Sequence, residues 1–431
     1  MTKLIKTTLS VCTVCLNKVP ARVSEENGRV WLDKTCPDHG EQRVLLAVDP
    51  RFYYKNNREL SCGPGGCGGM FNHSCTLMFE ITERCNLTCP TCFALSSPKV
   101  HYRLTRDTFV EQLDHLLESG KRDADIVQLS GGEPTIHPEF LDIVDACFER
   151  GVQKVFVNTN GIEFAKRPEL LEHLAQYGGK LQLYLQFDGF RPSTHEAIRG
   201  AKGLLDLKLK TLTRAYELGI HALPVMTVTR DINLDEVGDV VKFALDNHPQ
   251  CRGVMLQPAM YAGRYENEHT AERVTVGELA AVVQEQTDLF TLDDFGPIPC
   301  SDPNCFSMAV AVKLGEDLVP VSRYFPKQTT WADPGVTEGI EQFADRLPQH
   351  MVGAMEDNII LDQLLDALAD GDGDLFRREA SYFVLSIKPF MDSGTYDQDR
   401  IDACCVHVVD RSGNPVSLCE YNTLRRPRGL L

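Results

Sequence analysis

Along the middle of the chain, from about Thr76 to Gly263, short apolar runs alternate with longer stretches of helical period. The strand-like runs are Leu77–Ile81, Ile126–Leu129, Lys154–Val157, Leu181–Phe187, Ala222–Val228 and Gly253–Gln257, and helix-period segments such as Thr108–Glu118, Pro138–Arg150, Pro168–Tyr177 and Leu234–Asn247 lie between them. Strands separated by helices predict a parallel sheet with helices outside. Six such units predict an α/β fold, a partial (β/α)6 TIM barrel, with active residues at the C-terminal ends of the strands. Before the barrel, Ala21–Val23 and Arg29–Leu32 read as two short strands joined at Asn27-Gly28, a hairpin turn signal. After it, Cys404 to Cys419 reads as a second hairpin turning near Gly413, and Ile359–Leu368 and Tyr382–Phe390 read as apolar helices of the core or of a channel. The division expected is a metal-binding ribbon over 1–60, a Gly/Cys-rich segment over 61–75, the barrel over 76–265 and an α-rich C-terminal domain over 266–431.

Composition narrows the setting. The chain has 431 residues, 43% of them hydrophobic, and a formal charge of −17, which disfavours nucleic acid as a partner. No apolar run reaches the length of a transmembrane segment and the start carries no signal-length apolar core, so a cytoplasmic location is expected. Sixteen cysteines in a reducing compartment read as metal ligands rather than disulfides. Cys147 and Cys251 stand alone and read as small buried residues.

Directly after the first barrel strand stands Cys85-Asn86-Leu87-Thr88-Cys89-Pro90-Thr91-Cys92-Phe93. A 4Fe–4S cubane takes four ligands, so three closely spaced thiolates leave one iron open for a small chelating molecule. The alternative is a structural zinc loop or a set of buried thiols. The loop is similar to that of the radical SAM superfamily, and the downstream strand ends fit the same resemblance. It implies that Cys85, Cys89 and Cys92 hold the cluster, that Gly131, Gly132 and Glu133 bind the methionine amino group of S-adenosylmethionine (SAM), and that Arg199 pairs with its carboxylate. Asn158 and Asn160 suit the ribose hydroxyls, and Gln186 and Asp188 place amide and carboxylate groups at the same mouth. Ordinary turn chemistry at Asn160-Gly161 and Asp188-Gly189, and a solvated helix-end role for Arg199, are the alternatives. Thr227 and Gln257 are further contacts to adenine or substrate. Thr91 stands where many members of the superfamily carry an aromatic, and Phe93 is placed to supply the apolar surface instead.

The remaining cysteines fall in groups. Cys12-x-x-Cys15 and Cys36-x-x-His39 have the spacing of a zinc ribbon or rubredoxin-like site, with Zn as the default metal and mononuclear Fe as the alternative. An ordinary hairpin with unligated thiols is the bland reading. Eight more cysteines remain: Cys62, Cys67, Cys75, Cys300, Cys305, Cys404, Cys405 and Cys419. That number suffices for two fully ligated auxiliary 4Fe–4S clusters, against one cluster plus buried thiols. Because neighbouring residues of a strand point opposite ways, Cys404 and Cys405 are expected to serve different clusters.

The CxxC…CPxHG ribbon, CGPGGC, CNLTCPTCFA, PCSDPNC and CCVHVV…LCEYN together resemble the tetraether lipid synthase group, also described as class D radical SAM methylases. The resemblance implies three 4Fe–4S clusters, a rubredoxin-like mononuclear site, and joining of carbon centres after hydrogen abstraction from unactivated C–H bonds. The expected activity is therefore C–C bond formation, coupling or methylation, on a lipid-like or pterin-like small molecule. An external one-electron reductant of flavodoxin or ferredoxin type is expected as a partner. A radical SAM peptide maturase or dehydrogenase and a multi-cluster electron-transfer protein are the competing readings.

Overall fold

The structure, a computed structural model, describes residues 2–53, 74–118, 126–265, 273–297, 301–314, 317–324 and 382–431. Cys62, Cys67, Cys300 and the expected helix Ile359–Leu368 lie outside the described residues.

The N-terminal region is an antiparallel four-stranded sheet in sequence order: β1 (Lys3–Val11), β2 (Lys18–Glu26), β3 (Arg29–Cys36) and β4 (Gly40–Ala47). Asn27 and Gly28 both have positive φ, 52° and 71°, as a two-residue hairpin turn of this hand requires. Alternation along β2 and β3 puts Ala21, Val23, Val30 and Leu32 on one buried face.

The rest of the protein is built on one twelve-stranded sheet. Its centre is a parallel run in chain order: β5 (Thr76–Thr82), β6 (Ile126–Gly131), β7 (Lys154–Thr159), β8 (Leu181–Gln186), β9 (His221–Val228) and β10 (Gly253–Pro258). Helices Arg106–Glu118, Phe140–Glu149, Leu204–Glu217 and Val237–Asp246 cover the outer face. Their apolar stripes meet outward strand residues in a continuous core, for instance Phe79 edge-on to Phe109 at 4.7 Å between ring centres.

The sheet continues past the expected barrel boundary at both sides. The strands β11 (Gly296–Pro297), β12 (Ser307–Leu314) and β13 (Asp317–Pro320) form an antiparallel flank. Between them and the barrel, β14 (Tyr382–Ile387) lies parallel to β10, with Met255 opposite Ser386. On the other side β15 (Val406–Val409) lies parallel to β5, with His407 opposite Leu77, and pairs with β16 (Pro415–Ser417). The predicted C-terminal hairpin is thus present, with Gly413 at φ 84° in its turn. One expectation is corrected. Tyr382–Phe390 is not helical but supplies β14, because an apolar run buried on both faces of a sheet has no period that distinguishes it from a buried helix. The described residues of the C-terminal region contribute strands to the barrel sheet, and much of the region expected to be α-rich lies outside the described residues. No helix among the described residues is long and apolar enough to cross a membrane.

Candidate active site

The cysteine loop leaves β5 at Thr82 and is fastened at several points. Cys85 N–H donates to Ser97 O at 3.2 Å and Cys92 N–H to Cys89 O at 3.2 Å. Thr91 Oγ1 donates to Ile198 O at 3.1 Å, tying the loop to the helix that carries Arg199. Arg264 holds it from the other side: Nε donates to Cys89 O at 2.9 Å and Nη2 to Ser96 O at 2.5 Å. Nothing in the sequence marked Arg264 for this role. Cys85 and Cys89 are each 8% exposed. Burial, with the nearby Glu133 charge, pushes the Cys85 thiol up to about 12, and burial raises Cys89 against the opposing charge of Arg199. Buried thiols of this kind become thiolates only when a cation or metal supplies the missing charge. The loop therefore fits a cluster better than free catalytic thiols.

The Gly131-Gly132-Glu133 turn works differently from the expectation. A Cβ on Gly132 would lie 2.1 Å from Arg84 O, and one on Gly131, at φ 117°, would lie 2.1 Å from Thr82 O. The two glycines thus admit the cysteine loop's own backbone, and Gly132 N–H donates to Thr82 O at 2.6 Å. Glu133 is 1% exposed and is not part of the cavity wall. Its carboxylate already accepts from Thr135 N at 3.2 Å, Thr135 Oγ1 at 2.6 Å, Thr159 Oγ1 at 2.8 Å and Asn160 N at 2.7 Å. It joins the end of β6 to the end of β7, and its carboxylate lies behind the cavity wall rather than in it. The backbone of Ser130–Gly132 borders the cavity instead.

At the ends of β7 and β8 the residues form one buried lattice. Asn160 is 2% exposed, and its Nδ2 donates to Asn86 Oδ1 of the cysteine loop at 2.7 Å. Asn158 accepts from Gln128 Nε2 at 2.7 Å and donates to Ser130 Oγ at 3.0 Å. Asp188 is fully buried behind Arg199: Arg199 Nε and Nη2 donate to its two oxygens, both at 2.6 Å. Burial works to raise the Asp188 carboxyl and to lower the Arg199 guanidinium, but their mutual attraction outweighs it, holding Asp188 below and Arg199 above their usual ranges. Arg199, Asn158, Asn160 and Gln186 border the cavity and Asp188 does not, which corrects its expected place at the mouth. A further residue, Lys208, is fully buried, and its Nζ donates to Asn160 O at 3.3 Å and also to Gln186 O. It lies mid-helix, where a lone lysine carries no sequence signal.

All of this faces one cavity enclosing about 2220 Å³ of empty space, its open mouth included. Cys85, Cys89 and Cys92 line one part of it, and the described auxiliary cysteines Cys75, Cys305, Cys404, Cys405 and Cys419 line the same cavity. Cys75 and Cys405 are brought together by Cys75 N–H donating to Cys405 O at 2.9 Å. Arg400 Nε donates to Cys305 Sγ at 3.4 Å, Met391 N to Cys419 Sγ at 3.4 Å, and Cys404 Sγ to Val406 O at 3.1 Å. Burial pushes the Cys419 thiol up to about 11. Cys404 and Cys405 precede β15 rather than lying within it, so the strand alternation does not apply and both border the cavity.

The ribbon gathers a second, compact set. Among the described residues, Cys12, Cys15, Cys36 and His39 form a group whose ligand atoms all lie within 4.8 Å of one another. Cys12 Sγ and Cys36 Sγ stand 3.6 and 3.4 Å from His39 Nδ1, and Cys15 Sγ stands 3.9 Å from Cys36 Sγ. Burial works to raise the Cys12 thiol, yet backbone N–H groups of Cys15 and Val14 and the Gln42 amide prevail and bring it to about 6. That spacing suits a single tetrahedral ion.

The parallel βα barrel carries a three-cysteine loop after its first strand, closed against a glycine turn on its second, and this part of the chain is a Radical SAM domain. Residues 79–244 match the Radical SAM superfamily, and residues 4–48 match the HMPTM N-terminal zinc ribbon domain. Over nearly its whole length the chain is similar to the 7,8-dihydro-6-hydroxymethylpterin dimethyltransferase of Methanocaldococcus jannaschii: 28% identity over 487 aligned residues, covering 98% of this chain and 94% of the relative. The antilisterial bacteriocin subtilosin biosynthesis protein AlbA of Bacillus subtilis is 32% identical over 168 residues, covering 39% of this chain and 36% of its own. Among solved structures, Streptococcus suis SuiB bound to S-adenosylmethionine matches with 16% identity and a TM-score of 0.41, covering 50% of this chain and 47% of that one.

Proposed function

We propose that this chain methylates a carbon of a pterin-class small molecule, with hydrogen abstraction by a SAM-derived radical as the opening step. The observation that carries the reading is the shared cavity, in which the three-cysteine loop and five further cysteines border one space. The substrate class follows from the full-length relative, which is named for a dihydropterin. The bacteriocin biosynthesis relative AlbA, by contrast, matches over only 39% of this chain.

Cys85, Cys89 and Cys92 would hold a 4Fe–4S cluster, which with SAM bound and one electron added would supply the radical chemistry that takes hydrogen from carbon. The chain's own residues bind, orient and shield. Backbone carbonyls along Ser130–Gly132 receive the methionine ammonium, while Glu133 fixes their position from behind. Arg199, clamped by Asp188, presents its remaining edge to the SAM carboxylate. Asn158, Asn160 and Gln186 receive the ribose hydroxyls, and Lys208 holds the Asn160 and Gln186 carbonyls in place. Cys12, Cys15, Cys36 and His39 hold one mononuclear Zn or Fe with a structural role. Cys75, Cys305, Cys404, Cys405 and Cys419, with Cys62, Cys67 and Cys300, hold auxiliary clusters, and a flavodoxin or ferredoxin supplies the electron.

The test is anaerobic incubation of the reconstituted protein with SAM, dithionite and 7,8-dihydro-6-hydroxymethylpterin, followed by mass spectrometry. A pterin product heavier by one or two CH2 units supports the reading. If 5′-deoxyadenosine forms while the pterin stays unchanged in the presence of every methyl or methylene donor tried, the substrate belongs to another class.

A further inference from the structure

The inward positions at the barrel mouth make a polar ring: Gln128 on β6, Asn158 on β7, Gln186 on β8, Thr227 on β9 and Gln257 on β10 all border the cavity. The ring is extended by a residue outside the six barrel strands. Lys388 follows directly on β14, and its N–H donates to Leu256 O at 2.9 Å, which sets it beside Gln257. Most members of the ring are internally bonded. Gln128 and Asn158 bond each other, and Thr227 Oγ1 accepts from Arg199 at 3.1 Å. Gln257 is left with a weak sulfur partner, Met255 Sδ at 3.4 Å. The Lys388 ammonium has no carboxylate within ion-pair distance among the described residues. Its neighbours are the rings of Phe390 and Phe306, with centres 5.5 and 5.9 Å from Nζ. Phe390 in turn lies 6.4 Å from Phe93, directly after the third cluster cysteine.

A cation with no carboxylate partner among the described residues, near the Cys404 and Cys419 thiols and set among aromatic faces in a cavity, has room for an oxygen ligand. We propose that Lys388 is the substrate's anchoring residue: its ammonium donates to an oxo or anionic oxygen on the edge of a planar heterocycle that lies against Phe306 and Phe390, with the Gln257 amide beside it. This rests on the pterin-class reading above and adds the recognition element to it. The anchor follows directly on β14, a strand contributed by the C-terminal region. Substrate recognition and the auxiliary cysteines Cys404 and Cys419 are therefore carried by the same part of the chain, opposite the SAM-facing loop.

The test is anaerobic calorimetric titration of 7,8-dihydro-6-hydroxymethylpterin into reconstituted wild type, Lys388→Met and Lys388→Arg, each with SAM present. Iron content and the SAM-dependent electron paramagnetic resonance signal are recorded alongside. The proposal predicts pterin binding weakened about tenfold to a hundredfold in Lys388→Met, as for loss of a charge-assisted hydrogen bond, with partial rescue in Lys388→Arg and unchanged iron and SAM signals. If wild type binds the pterin and Lys388→Met binds it equally well, the proposal is overturned. If binding is unchanged but iron content or cluster potential shifts, Lys388 is a counter-charge to the Cys404 and Cys419 thiolates and the anchor assignment is wrong. If wild type itself does not bind the pterin, the pterin-class reading fails and the anchor proposal falls with it.

Discussion

Asp188 and Arg199 form a two-pronged ion pair, 2.6 Å at each prong, sealed behind the wall of the cavity that Arg199 borders. Asp188 is thus a positioning residue, and Arg199 is the group left facing outward. Asp188→Ala leaves a buried guanidinium without its partner, a loss on the order of 3–5 kcal/mol. Denaturant unfolding under anaerobic conditions is expected to show that destabilisation, together with weakened SAM binding. Arg199→Lys keeps the charge but loses the fork, so it is expected to weaken SAM binding with a smaller loss of stability.

The contact between Gly132 and Arg84 O predicts an unusually sharp effect for a small change. Gly132→Ala puts a methyl group 2.1 Å from that carbonyl, so the cysteine loop must move. Displacements of about 1 Å in a reacting constellation cost on the order of a hundredfold in rate. Formation of 5′-deoxyadenosine is expected to fall by about that factor, while the metal of the ribbon, on a separate sheet, stays bound.

These two cases show what was legible in the sequence. The six barrel strands and the Asn27-Gly28 hairpin were readable because each is a local signal: an apolar run bounded by polar residues, or a turn that needs positive φ. The cysteine motif and the ribbon spacing were readable for the same reason. Glu133 and Asp188 were misplaced because a carboxylate in a loop at a strand end looks the same whether it faces a ligand or accepts from Thr135, Thr159 and Asn160 behind it. Lys208, Arg264 and Lys388 gave no signal, since apart from Phe390 beside Lys388 their partners are backbone carbonyls and a ring far away in sequence. The parallel insertion of β14 and β15 beside β10 and β5 was likewise invisible, because only long-range pairing creates it.

Lys208 gives a pH prediction. Burial, against the opposing pull of Asp188, brings its ammonium down to about 8 from an ordinary 10.5. Between those values the unfolded chain holds the proton and the folded one does not, so stability from this group rises with pH and is lost as pH falls through about 8. The stability of wild type relative to Lys208→Met is expected to increase from pH 7 to pH 9.5, measured by denaturant unfolding. A flat or falling difference contradicts the assigned burial.

The ribbon is bolted to the region that carries the auxiliary cysteines. Lys34 Nζ donates to Val11 O at 2.7 Å within the ribbon and to Ser393 O at 2.6 Å outside it, and Lys6 Nζ lies 2.6 Å from Asp397. The short helix Gln398–Asp402 that follows carries Arg400, whose Nε donates to Cys305 Sγ. Removing the ribbon metal, by Cys36→Ala or by chelation, is therefore expected to lower the thermal stability of the whole protein and loosen auxiliary iron. Metal analysis should show one equivalent lost first, and the iron of the Cys85, Cys89 and Cys92 site retained longest.

The central claim is that Cys85, Cys89 and Cys92 hold an open-iron cluster that acts on SAM in a cavity shared with separately held iron. The direct measurement is iron counting and 5′-deoxyadenosine formation in reconstituted wild type and in the triple variant Cys85→Ala/Cys89→Ala/Cys92→Ala. The account predicts 5′-deoxyadenosine from wild type alone, with the variant keeping most of its iron on the auxiliary cysteines. A fully loaded wild type that forms no more 5′-deoxyadenosine than the variant, with SAM, reductant and pterin present, would contradict it.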